Sequence, residues 1–504
     1  MIDTKALRQK ILDMAIRGKL VPQDPNDEPA SVLLERIRAE KQQLIKEDKN
    51  KKDKNDSVIF KGDDNRYYEK VGSEVKDITD EIDLECPRNW TFVRLRDLIE
   101  LISGRDLLPT QYNSDKIGIP YITGASNLLN ERIIINRWTD TPSVVSHKGD
   151  LLITCKGTIG EMVFNNIGDI HIARQIMSIR CIGANSLFIM LVLKYYVSQL
   201  QSGAKSFIPG ISRDDILKLS FIMPPLAEQT RIVNRVEELF EQVDIIEQNQ
   251  ADIDTLYDEF RKRTLTLAIQ GKLVPQDPND EPASVLLERI RAEKKAKLGK
   301  KYVDSYIYKG DDNCYYEHIA TRAQDELVEV PFDLPNNWAW AKLLDIGNFS
   351  SGKTPDMSEP AYWQNGNVQW FTSKDMKTKY LTESQLKITE LAANDMTLYP
   401  ANTLLWVVRS GILKSSLPIC ILKQSATINQ DIKAYQLYQS CMIDYVYYML
   451  KGMEERILDN YVKRITTVHS LKFDELISNL VVPIPPLAEQ KRIVAKINEI
   501  FAIL

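Results

Sequence analysis

The sequence has few histidines and cysteines and no long apolar run. Its four histidines are dispersed, and the six cysteines stand singly at positions 86, 155, 181, 314, 420 and 441, with no CxxC pair. This spacing argues against a structural zinc site and fits a reducing compartment. No stretch of 18 apolar residues occurs, and the first ten residues (MIDTKALRQK) lack the apolar core of a secretory signal. We therefore expect a cytoplasmic protein.

Catalytic sequence motifs are also missing. The chain has no GxxxxGK[ST] phosphate loop, no Asn/Asp-Pro-Pro-Tyr/Phe tetrapeptide of an amino-methyltransferase and no FxGxG cofactor loop. One short pattern is typical of a nuclease: Pro355-Asp356 followed by Asp375-x-Lys377, whose carboxylates and lysine would hold Mg²⁺. The matching stretch of the first half of the chain reads Leu-Leu-Asn. An autonomous nuclease therefore stays an alternative hypothesis.

Internal repetition is abundant. Residues 18–41 (GKLVPQDPNDEPASVLLERIRAEK) are identical to residues 271–294, and KGDDNRYYE at 61–69 returns as KGDDNCYYE at 309–317. The motif PPLAEQxRIV occurs at residues 224–233 and again at 485–494. An identical repeat of this length does not arise by chance. The chain therefore contains two copies of one unit, divided so that each terminus carries half of a helix.

A long helix is predicted for residues 224–271, because apolar residues recur there in alternating steps of three and four. Such a helix would be roughly 65 to 70 Å long at about 1.5 Å per residue, which is too long for one globular domain. The same seam returns at both chain ends, at Leu7, Ile11, Met14, Ile493, Ile497, Ile500 and Leu504. We therefore expect the two ends to form a second spacer helix, antiparallel to the first.

The repeat also predicts that this second helix is incomplete. Leu504 aligns with Val243 and Met1 aligns with Asp254, so residues 244–253 have no counterpart at the chain ends. The unmatched segment corresponds to about 15 Å of helix. We expect residues 493–504 to pack on the central helix, followed by a gap before residues 1–14.

The stretches between the helices share landmarks, which predicts two globular domains on one scaffold. They begin alike, with CPRNW at 86–90 and LPNNW at 334–338, and each contains a strand that enters a polar loop. We predict an α+β fold with two globular domains in a pseudo-twofold arrangement, joined by long antiparallel coiled-coil helices. The predicted segments are 1–85 (half-spacer helix and linker), 86–223 (first globular domain), 224–333 (central spacer helix and linker), 334–484 (second globular domain) and 485–504 (half-spacer helix).

Positive charge is concentrated in the globular domains, although the net charge of the chain is −5. Lysine and arginine outnumber aspartate and glutamate by 15 to 11 in residues 86–223 and by 15 to 14 in residues 335–484. Residues 226–270 have 5 basic side chains against 10 acidic ones. Many basic residues of the globular domains fall in polar loops, which favours a nucleic-acid ligand.

The two domains, the divided helices, the PPLAEQxRIV motif and the GDLLxxxxGTIG loop resemble the specificity subunit of type I restriction-modification systems. The resemblance implies that each domain reads one half of a split double-stranded DNA site. It also implies that the helices hold modification (methyltransferase) subunits, that restriction (endonuclease/translocase) subunits join them, and that this chain has no catalytic site. S-adenosylmethionine, ATP and Mg²⁺ are then expected on the partner subunits, with no cofactor in this chain.

The candidate DNA contacts are loop residues that can reach base edges or phosphates. They are Lys156, Arg174, Gln175, Lys205, Ser206 and Arg213 in the first domain and Arg409, Lys414, Asn429, Gln430, Lys463, Arg464 and Thr466 in the second. The candidate subunit-binding residues belong to the helical seam: Ile232, Val236, Leu239, Val243, Phe260, Ile493 and Ile497. For each single residue the alternative is an exposed polar side chain without a ligand. For the whole chain the alternative is a coiled-coil, protein-binding scaffold that does not read DNA.

Overall fold

The computed structural model describes residues 1–46, 57–79, 86–129, 132–203, 210–464 and 468–504. The chain forms two compact units, Met1–Asp252 and Ile253–Leu504. Both units combine helices and strands, which confirms the predicted α+β class with a repeated domain. Every helix in the described ranges is too short or too polar to cross a lipid bilayer.

The first unit packs strands against helices from both ends of its sequence. Its helices are α1 (Thr4–Ile16), α2 (Ala30–Lys46), α3 (Leu95–Leu98), α4 (Ser186–Gly203), α5 (Arg213–Leu217) and the first part of α6 (Leu226–Ile269), with 3₁₀ helices at Pro109–Gln111 and Ala125–Asn127. Its strands are β1 (Ser57–Lys61), β2 (Tyr67–Val71), β3 (Glu74–Asp77), β4 (Thr91–Arg94), β5 (Ile99–Ser103), β6 (Ile119–Ile122), β7 (Leu128–Leu129), β8 (Arg132–Ile133), β9 (Trp138–Thr139), β10 (Val145–Ser146), β11 (Leu151–Thr154), β12 (Met162–Phe164), β13 (Ile170–Ile172), β14 (Ile176–Cys181) and β15 (Ser220–Met223). The main antiparallel sheet has the order β12-β11-β14-β5, and a second sheet has the order β10-β13-β6-β9.

The second unit repeats this plan after the last part of α6. Its helices are α7 (Ala283–Leu298), α8 (Leu343–Ile346), α9 (Glu390–Ala393), α10 (Ile443–Gly452), α11 (Glu454–Tyr461), α12 (Phe473–Asn479) and α13 (Leu487–Phe501), with 3₁₀ helices at Gly299–Lys301, Pro360–Tyr362, Gly411–Lys414 and Ser440–Met442. Its strands are β16 (Ser305–Lys309), β17 (Tyr315–Ile319), β18 (Glu326–Val328), β19 (Ala339–Lys342), β20 (Gly347–Ser351), β21 (Val368–Phe371), β22 (Tyr380–Leu381), β23 (Leu386–Ile388), β24 (Leu404–Val407), β25 (Arg409–Ser410), β26 (Ile419–Leu422), β27 (Thr427–Ile428), β28 (Ile432–Leu437), β29 (Val462–Lys463), β30 (His469–Leu471) and β31 (Val481–Ile484).

The main sheets of the two units differ at one edge. The order β20-β28-β24-β26 in the second unit matches β5-β14-β11-β12 in the first, and a further strand, β22, lies beyond β26. Strand β22 pairs with β26 in parallel. Among the described residues of the first unit, β12 is an edge strand of its sheet.

Helix α6 is continuous over 44 residues, as the apolar spacing predicts. In the first unit α1 lies antiparallel to it, because Arg8 contacts Asp244 whereas the earlier Ile2 donates its N–H to Gln250 Oε1 at 2.6 Å. The predicted seam is buried near the two ends of α6, but residues 251–260 are all exposed. Burial of a heptad seam requires a covering partner, and spacing alone does not supply one.

The end of α6 belongs to the core of the second unit. Ile493 and Ile497 of α13 are buried in one hydrophobic cluster with Leu265 and Ile269 of α6. Ile493 in the motif at the start of α13 occupies the same position as Ile232 in the motif at the start of α6. Both side chains are buried.

A cluster of hydrogen bonds and one ion pair joins the start of α6 to the first globular domain. The indole Nε1 of Trp90 donates to Glu228 Oε2 at 2.9 Å, and Arg231 Nη2 lies 2.5 Å from Asp27 Oδ2. Glu228 and Arg231 belong to the PPLAEQxRIV motif, whereas Asp27 belongs to the identical repeat. We call Asp27, Trp90, Glu228 and Arg231 the first neck cluster.

The second unit builds the same contacts at the start of α13. Trp338 Nε1 donates to Glu489 Oε2 at 3.0 Å, and Arg492 Nη2 lies 2.6 Å from Asp280 Oδ2. Asp280, Trp338, Glu489 and Arg492 form the second neck cluster. The two signature repeats of the sequence therefore meet in space within each unit, and they join helix to domain.

A glycine completes each neck. Gly18 follows α1 and Gly271 follows α6, and both have a φ of +67°, which favours glycine after a helix. A Cβ at Gly18 would lie 2.9 Å from Pro87 Cγ, and a Cβ at Gly271 would lie 2.5 Å from Pro335 Cγ. Both the backbone conformation and the close packing therefore require glycine here.

The two neck carboxyl groups give a prediction of pH dependence. Burial raises the pKa of Glu228 and of Glu489, although the indole donor and the nearby arginine oppose this shift. A carboxyl group whose pKa is higher in the folded state stabilises the fold at low pH, and this contribution is lost as the pH rises through the folded pKa. Glutamine keeps an oxygen acceptor for the indole but cannot ionise.

We therefore expect the melting temperature of the E228Q/E489Q variant, relative to that of the parent chain, to increase as the pH is raised from about 4.5 to about 8. Calorimetry of both proteins across this range measures the difference directly. A difference that is constant with pH would show that neither carboxyl group titrates with folding.

Candidate DNA-binding surfaces

Several polar loops of the first unit meet on one surface. Cys155 N donates to Gln175 O at 2.8 Å, and Ile211 N donates to Cys155 O at 2.9 Å. Arg213 Nη1 donates to Ser103 Oγ at 3.1 Å. These bonds join the loops after β5 and β11, the turn before β14 and the segment before α5. We call the exposed side chains of these loops the first loop surface: Lys156, Arg174, Gln175 and Arg213.

The side chains of the first loop surface are accessible to a ligand. Arg174 Nε lies 2.7 Å from Asp106 Oδ2, and their side chains are 69% and 45% exposed. An ion pair exposed to this degree contributes about 0 to 1 kcal/mol, so Arg174 can exchange Asp106 for a phosphate at small cost. Gln175 lies against the backbone of Gly124, where a Cβ would come within 2.4 Å of Gln175 Oε1.

The second unit forms an equivalent surface with different side chains. Ser470 of β30 pairs with Arg409 of β25 on one side and with Lys463 of β29 on the other. The N–H of Val408 donates to Asp431 O at 2.9 Å, which brings the turn before β28 next to β25. We call the exposed side chains of this region the second loop surface: Arg409, Lys414, Gln430, Lys463 and Arg464.

Gln430 and Arg464 of the second loop surface differ in how firmly their side chains are held by neighbouring residues. The Thr354 hydroxyl donates to Gln430 Oε1, which orients that amide. Arg464 Nη2 lies 3.9 Å from Asp459 Oδ1, and both side chains are more than 70% exposed, at 72% and 73%. The guanidinium group of Arg464 is therefore only loosely paired.

The remaining sequence-predicted DNA contacts are not placed on these surfaces. Asn429 is 7% exposed, and its Oδ1 accepts the N–H of Asp431 at 3.2 Å. The side-chain amide of Asn429 therefore stabilises a turn. The expectation that this side chain faces DNA is corrected by the structure. Lys205, Ser206 and Thr466 lie outside the described residues.

Two exposed basic residues were not included among the DNA contacts predicted from the sequence. Arg105 and Lys353 each follow a Ser-Gly pair at the same place in the two units. Arg105 N donates to Ile172 O and Lys353 N donates to Ile428 O, both at 2.9 Å. The repeated Ser-Gly pair followed by a basic residue was the available signal.

A buried histidine positions the Arg105 loop. His171 is fully buried, and its ring lies between the carbonyl oxygen of Arg105, 2.9 Å from Nε2, and the N–H of Val144, 3.3 Å from Nδ1. Burial lowers the pKa of His171, so the neutral ring is favoured. A neutral ring that donates from Nε2 and accepts at Nδ1 satisfies both neighbours.

Most of the predicted subunit-binding residues lie inside the chain's own cores. Ile232, Val236 and Val243 are buried in the first unit, where Leu239 packs against them, and Ile493 and Ile497 are buried in the second. Phe260 differs, because it is 51% exposed. It belongs to an exposed apolar strip on α6 that we call the α6 strip: Ile253, Leu256, Tyr257 and Phe260.

The carboxylates of the nuclease-like pattern stabilise separate turns. Asp356 Oδ1 accepts the N–H of Ser358 at 2.9 Å and its hydroxyl at 2.7 Å. Asp375 accepts the N–H of Thr372 at 2.7 Å and that of Gln385 at 2.9 Å. Across the ranges that the structure describes, no group of three or more His, Cys, Asp or Glu side chains could hold a metal ion.

Comparison with known proteins gives a family. The model of the type I restriction modification DNA specificity domain matches residues 87–255 and again residues 335–504. The chain belongs to this family. The two matches confirm that the globular domains are copies of one family domain, and that the sequence resemblance was correct.

Relatives of this specificity family include two Escherichia coli proteins. The EcoAI specificity subunit is 30% identical over 433 residues, which cover 74% of this chain and 65% of that protein. The EcoEI specificity subunit is 28% identical over 465 residues, which cover 78% of this chain and 71% of that protein. The chain thus matches slightly less than two thirds of the EcoAI subunit. Both are named as specificity subunits, in agreement with the interpretation of this chain as a non-catalytic subunit.

A solved structure from a study of complex assembly in the type I restriction-modification system has a similar fold. The TM-score is 0.54 at 19% identity, and the match covers 83% of this chain and 91% of that one. At this identity the likeness concerns the fold alone.

Proposed function

We propose that this chain is the DNA sequence-specificity subunit of a type I restriction-modification complex, in which each loop surface reads one half of a bipartite double-stranded DNA site. The observation that supports this proposal is a contrast within the chain. Equivalent loops on two copies of the family domain carry different side chains, with Lys156 at the position of Arg409. Different loops on one scaffold are the means by which a fold recognises different ligands.

The proposed partners are methyltransferase subunits held by the helices, with restriction subunits joining that assembly. The α6 strip supports this proposal, since a contiguous apolar patch on a helix surface is typical of an interface. Phe260 at 51% and Leu256 at 60% exposure are its most prominent members. We further propose that S-adenosylmethionine, ATP and Mg²⁺ act on the partner subunits, and that this chain holds no cofactor and no catalytic group.

The experiment that tests the function begins with the target. Sequencing the methylated bases of cells that express this chain with its methyltransferase subunits would define the site. Binding of the reconstituted complex to a duplex with that site, and to a scrambled duplex, would then be measured at several salt concentrations. A DNA reader should prefer the site and show a steep fall of affinity with salt, because counterions are released from the phosphates. A protein-binding scaffold would show neither, and that result would overturn the proposal.

Arg105 and Lys353 provide a matched pair of substitutions. Arg105 follows β5 and Lys353 follows the equivalent strand β20, so we expect each to contact a phosphate of its own half-site. R105A or K353A should weaken binding to all sequences alike and reduce the salt slope by about one unit. K262A is a control, because Lys262 lies on α6, where it pairs with Glu455 at 2.8 Å. A change in the preferred base would show instead that the residue reads a base edge.

Arg464 is expected to read a base. Its loosely paired guanidinium group can form two parallel hydrogen bonds to the edge of a guanine. R464A should then weaken specific binding by about 1 to 3 kcal/mol and relax the preference at one position of the site. Competition binding with a library of duplexes varied at each position measures both quantities. An equal loss for all sequences would assign Arg464 to a phosphate, and an unchanged affinity would leave it without a ligand.

A further inference from the structure

The first unit has an open groove beside the edge of its main sheet. The groove has a volume of about 820 Å³ and lies between α1, β12, α4 and the start of α6. Apolar side chains form its floor, including Leu12, Phe164, Leu191 and Val236. The groove runs along the outer edge of β12, which pairs only with β11 among the described strands.

In the second unit this place is occupied by strand β22. Leu404 pairs with Ile421 in the same way that Leu151 pairs with Phe164, so β26 is the counterpart of β12. The outward N–H of Ile421 donates to Lys379 O at 2.7 Å. The second unit thus covers with its own chain the strand edge that no described residue of the first unit covers.

The N–H groups of the open edge point away from the sheet. Asn165 N donates to Asp150 O at 2.8 Å, which directs Asn165 towards β11. Hydrogen-bonding directions alternate along an antiparallel strand, so the N–H groups of Phe164 and Asn166 face outward. Their counterparts in the second unit are Ile421 and Lys423, and Lys423 N donates to Leu381 O at 2.9 Å.

Strand β22 is held in place by an aromatic and acidic site. Lys379 Nζ lies 2.7 Å from Asp444 Oδ1 and 4.1 Å from the centroid of the Tyr448 ring. The hydroxyl of Tyr380 donates to the same carboxylate at 2.8 Å. A lysine followed by an aromatic and an apolar residue is therefore the segment that this chain itself uses to cover the edge.

The helix behind the groove explains why the first unit is open. The burial pattern of Leu187–Lys194 in α4 matches that of Asp444–Lys451 in α10 position by position. Leu187 therefore stands where the second unit has Asp444, and Leu191 stands where it has Tyr448. Among its described residues, the first unit has neither a covering strand nor the side chains that hold one.

The first unit offers acidic groups from another helix instead. Glu237 and Glu241 of α6 line the groove and are exposed. Neither has an ion-pair partner among the described residues, whereas Asp244 farther along α6 pairs with Arg8. A basic side chain of an incoming segment would find these two free carboxylates at the rim of the apolar floor.

We propose that the edge of β12 binds an extended segment of a partner polypeptide, which adds a strand to the sheet as β22 does in the second unit. The segment carries a lysine or arginine, which lies beside Glu237 and Glu241, and an apolar or aromatic side chain, which enters the groove. Main-chain bonds to Phe164 and Asn166 supply affinity, and the side chains supply selectivity. This inference does not depend on DNA reading.

The test uses the full chain and a labelled peptide with the sequence of residues 376–383 (MKTKYLTE), which contains the natural covering strand. We expect saturable binding in fluorescence anisotropy. Hydrogen exchange at the amides of Phe164 and Asn166 should slow when the peptide is bound. A peptide with alanine in place of Lys379 and Tyr380 should bind at least about fivefold more weakly.

Two variants at one position isolate the main-chain contribution. N166P removes an outward N–H and should weaken peptide binding by about fivefold or more, whereas N166A keeps that N–H and should bind as the parent does. Met190 stands where the second unit has Tyr447, whose ring centroid lies 5.1 Å from Lys379 Nζ. The triple variant L187D/M190Y/L191Y therefore transfers the holding site of the second unit and should bind the peptide about fivefold to tenfold more tightly. Circular dichroism confirms the fold of each variant.

The outcomes separate strand addition from other ways of filling the groove. Binding without slower exchange at Phe164 would show that the segment docks as a helix or irregular chain, and would overturn strand addition. Equal binding to N166P and N166A would overturn it as well. Absence of binding to both the parent and the triple variant would show that this groove does not accept such a segment.

Discussion

Exchange of residues 90–220 for the same region of a related subunit is expected to change one half of the methylated DNA site completely and to leave the other half unchanged. The exchanged region carries the whole first loop surface. Its two ends lie in the antiparallel pair of β4 and β15, in which Ser220 faces Arg94. Both junctions therefore lie on one strand pair, and α6 is untouched. The expected result rests on the proposed function.

Methylated-base sequencing of cells that express the exchanged subunit measures this result. The reciprocal exchange at the β19–β31 pair of the second unit, where Ala339 faces Ile484, is the matched control and should change only the other half-site. A change in both halves after either exchange would show that the domains do not read independently. A change in the unread gap alone would assign the exchanged region to spacing.

Much of the fold follows from repeats that the sequence displays openly. The identical block and the PPLAEQxRIV motif predict two copies of one unit, and the apolar spacing predicts α6. The contact between the two repeats was not predictable, because Trp90 and Glu228 are separated by more than a hundred residues and neither signals its partner. Strand β22 was missed for a related reason: its two residues show no alternation long enough to indicate a strand.

The candidate site was predictable as a set of loops and less so as single residues. Lys156, Arg174, Gln175 and Arg213 are brought together by main-chain hydrogen bonds from Cys155 to Gln175 and from Ile211 to Cys155. Asn429 was predicted to contact DNA but stabilises a turn. Asparagine side chains commonly do either, and the sequence does not distinguish the two roles. The predicted helical seam could not be divided into buried and exposed residues either. Ile232 and Phe260 both fit the heptad spacing, but only Ile232 is buried.

Removal of a neck tryptophan is expected to destabilise its unit strongly. Trp90 is 6% exposed and Trp338 is 7% exposed, and each donates to a buried carboxyl group at the start of a helix. W90A or W338A should lower the unfolding free energy of its unit by about 3 to 5 kcal/mol, because a large cavity is left. Urea unfolding followed by hydrogen exchange of the affected core measures each unit by itself, since a chain of two units need not unfold in one step.

Phenylalanine substitutions then separate packing from hydrogen bonding. Glu489 keeps a second donor, Gln276 Nε2 at 2.6 Å, whereas Glu228 Oε1 has no hydrogen-bond partner among the described residues. W90F should therefore lower the free energy of unfolding more than W338F does. The expected loss lies within the range of about 1 to 3 kcal/mol for a buried polar group without a hydrogen-bond partner. In an E228Q background, W90F should reduce the free energy of unfolding by a smaller amount. A neutral amide without a hydrogen-bond partner is less unfavourable in a buried position than a carboxylate without one. Equal costs for the two phenylalanine variants would show that the indole hydrogen bond contributes little and that the necks are held by packing.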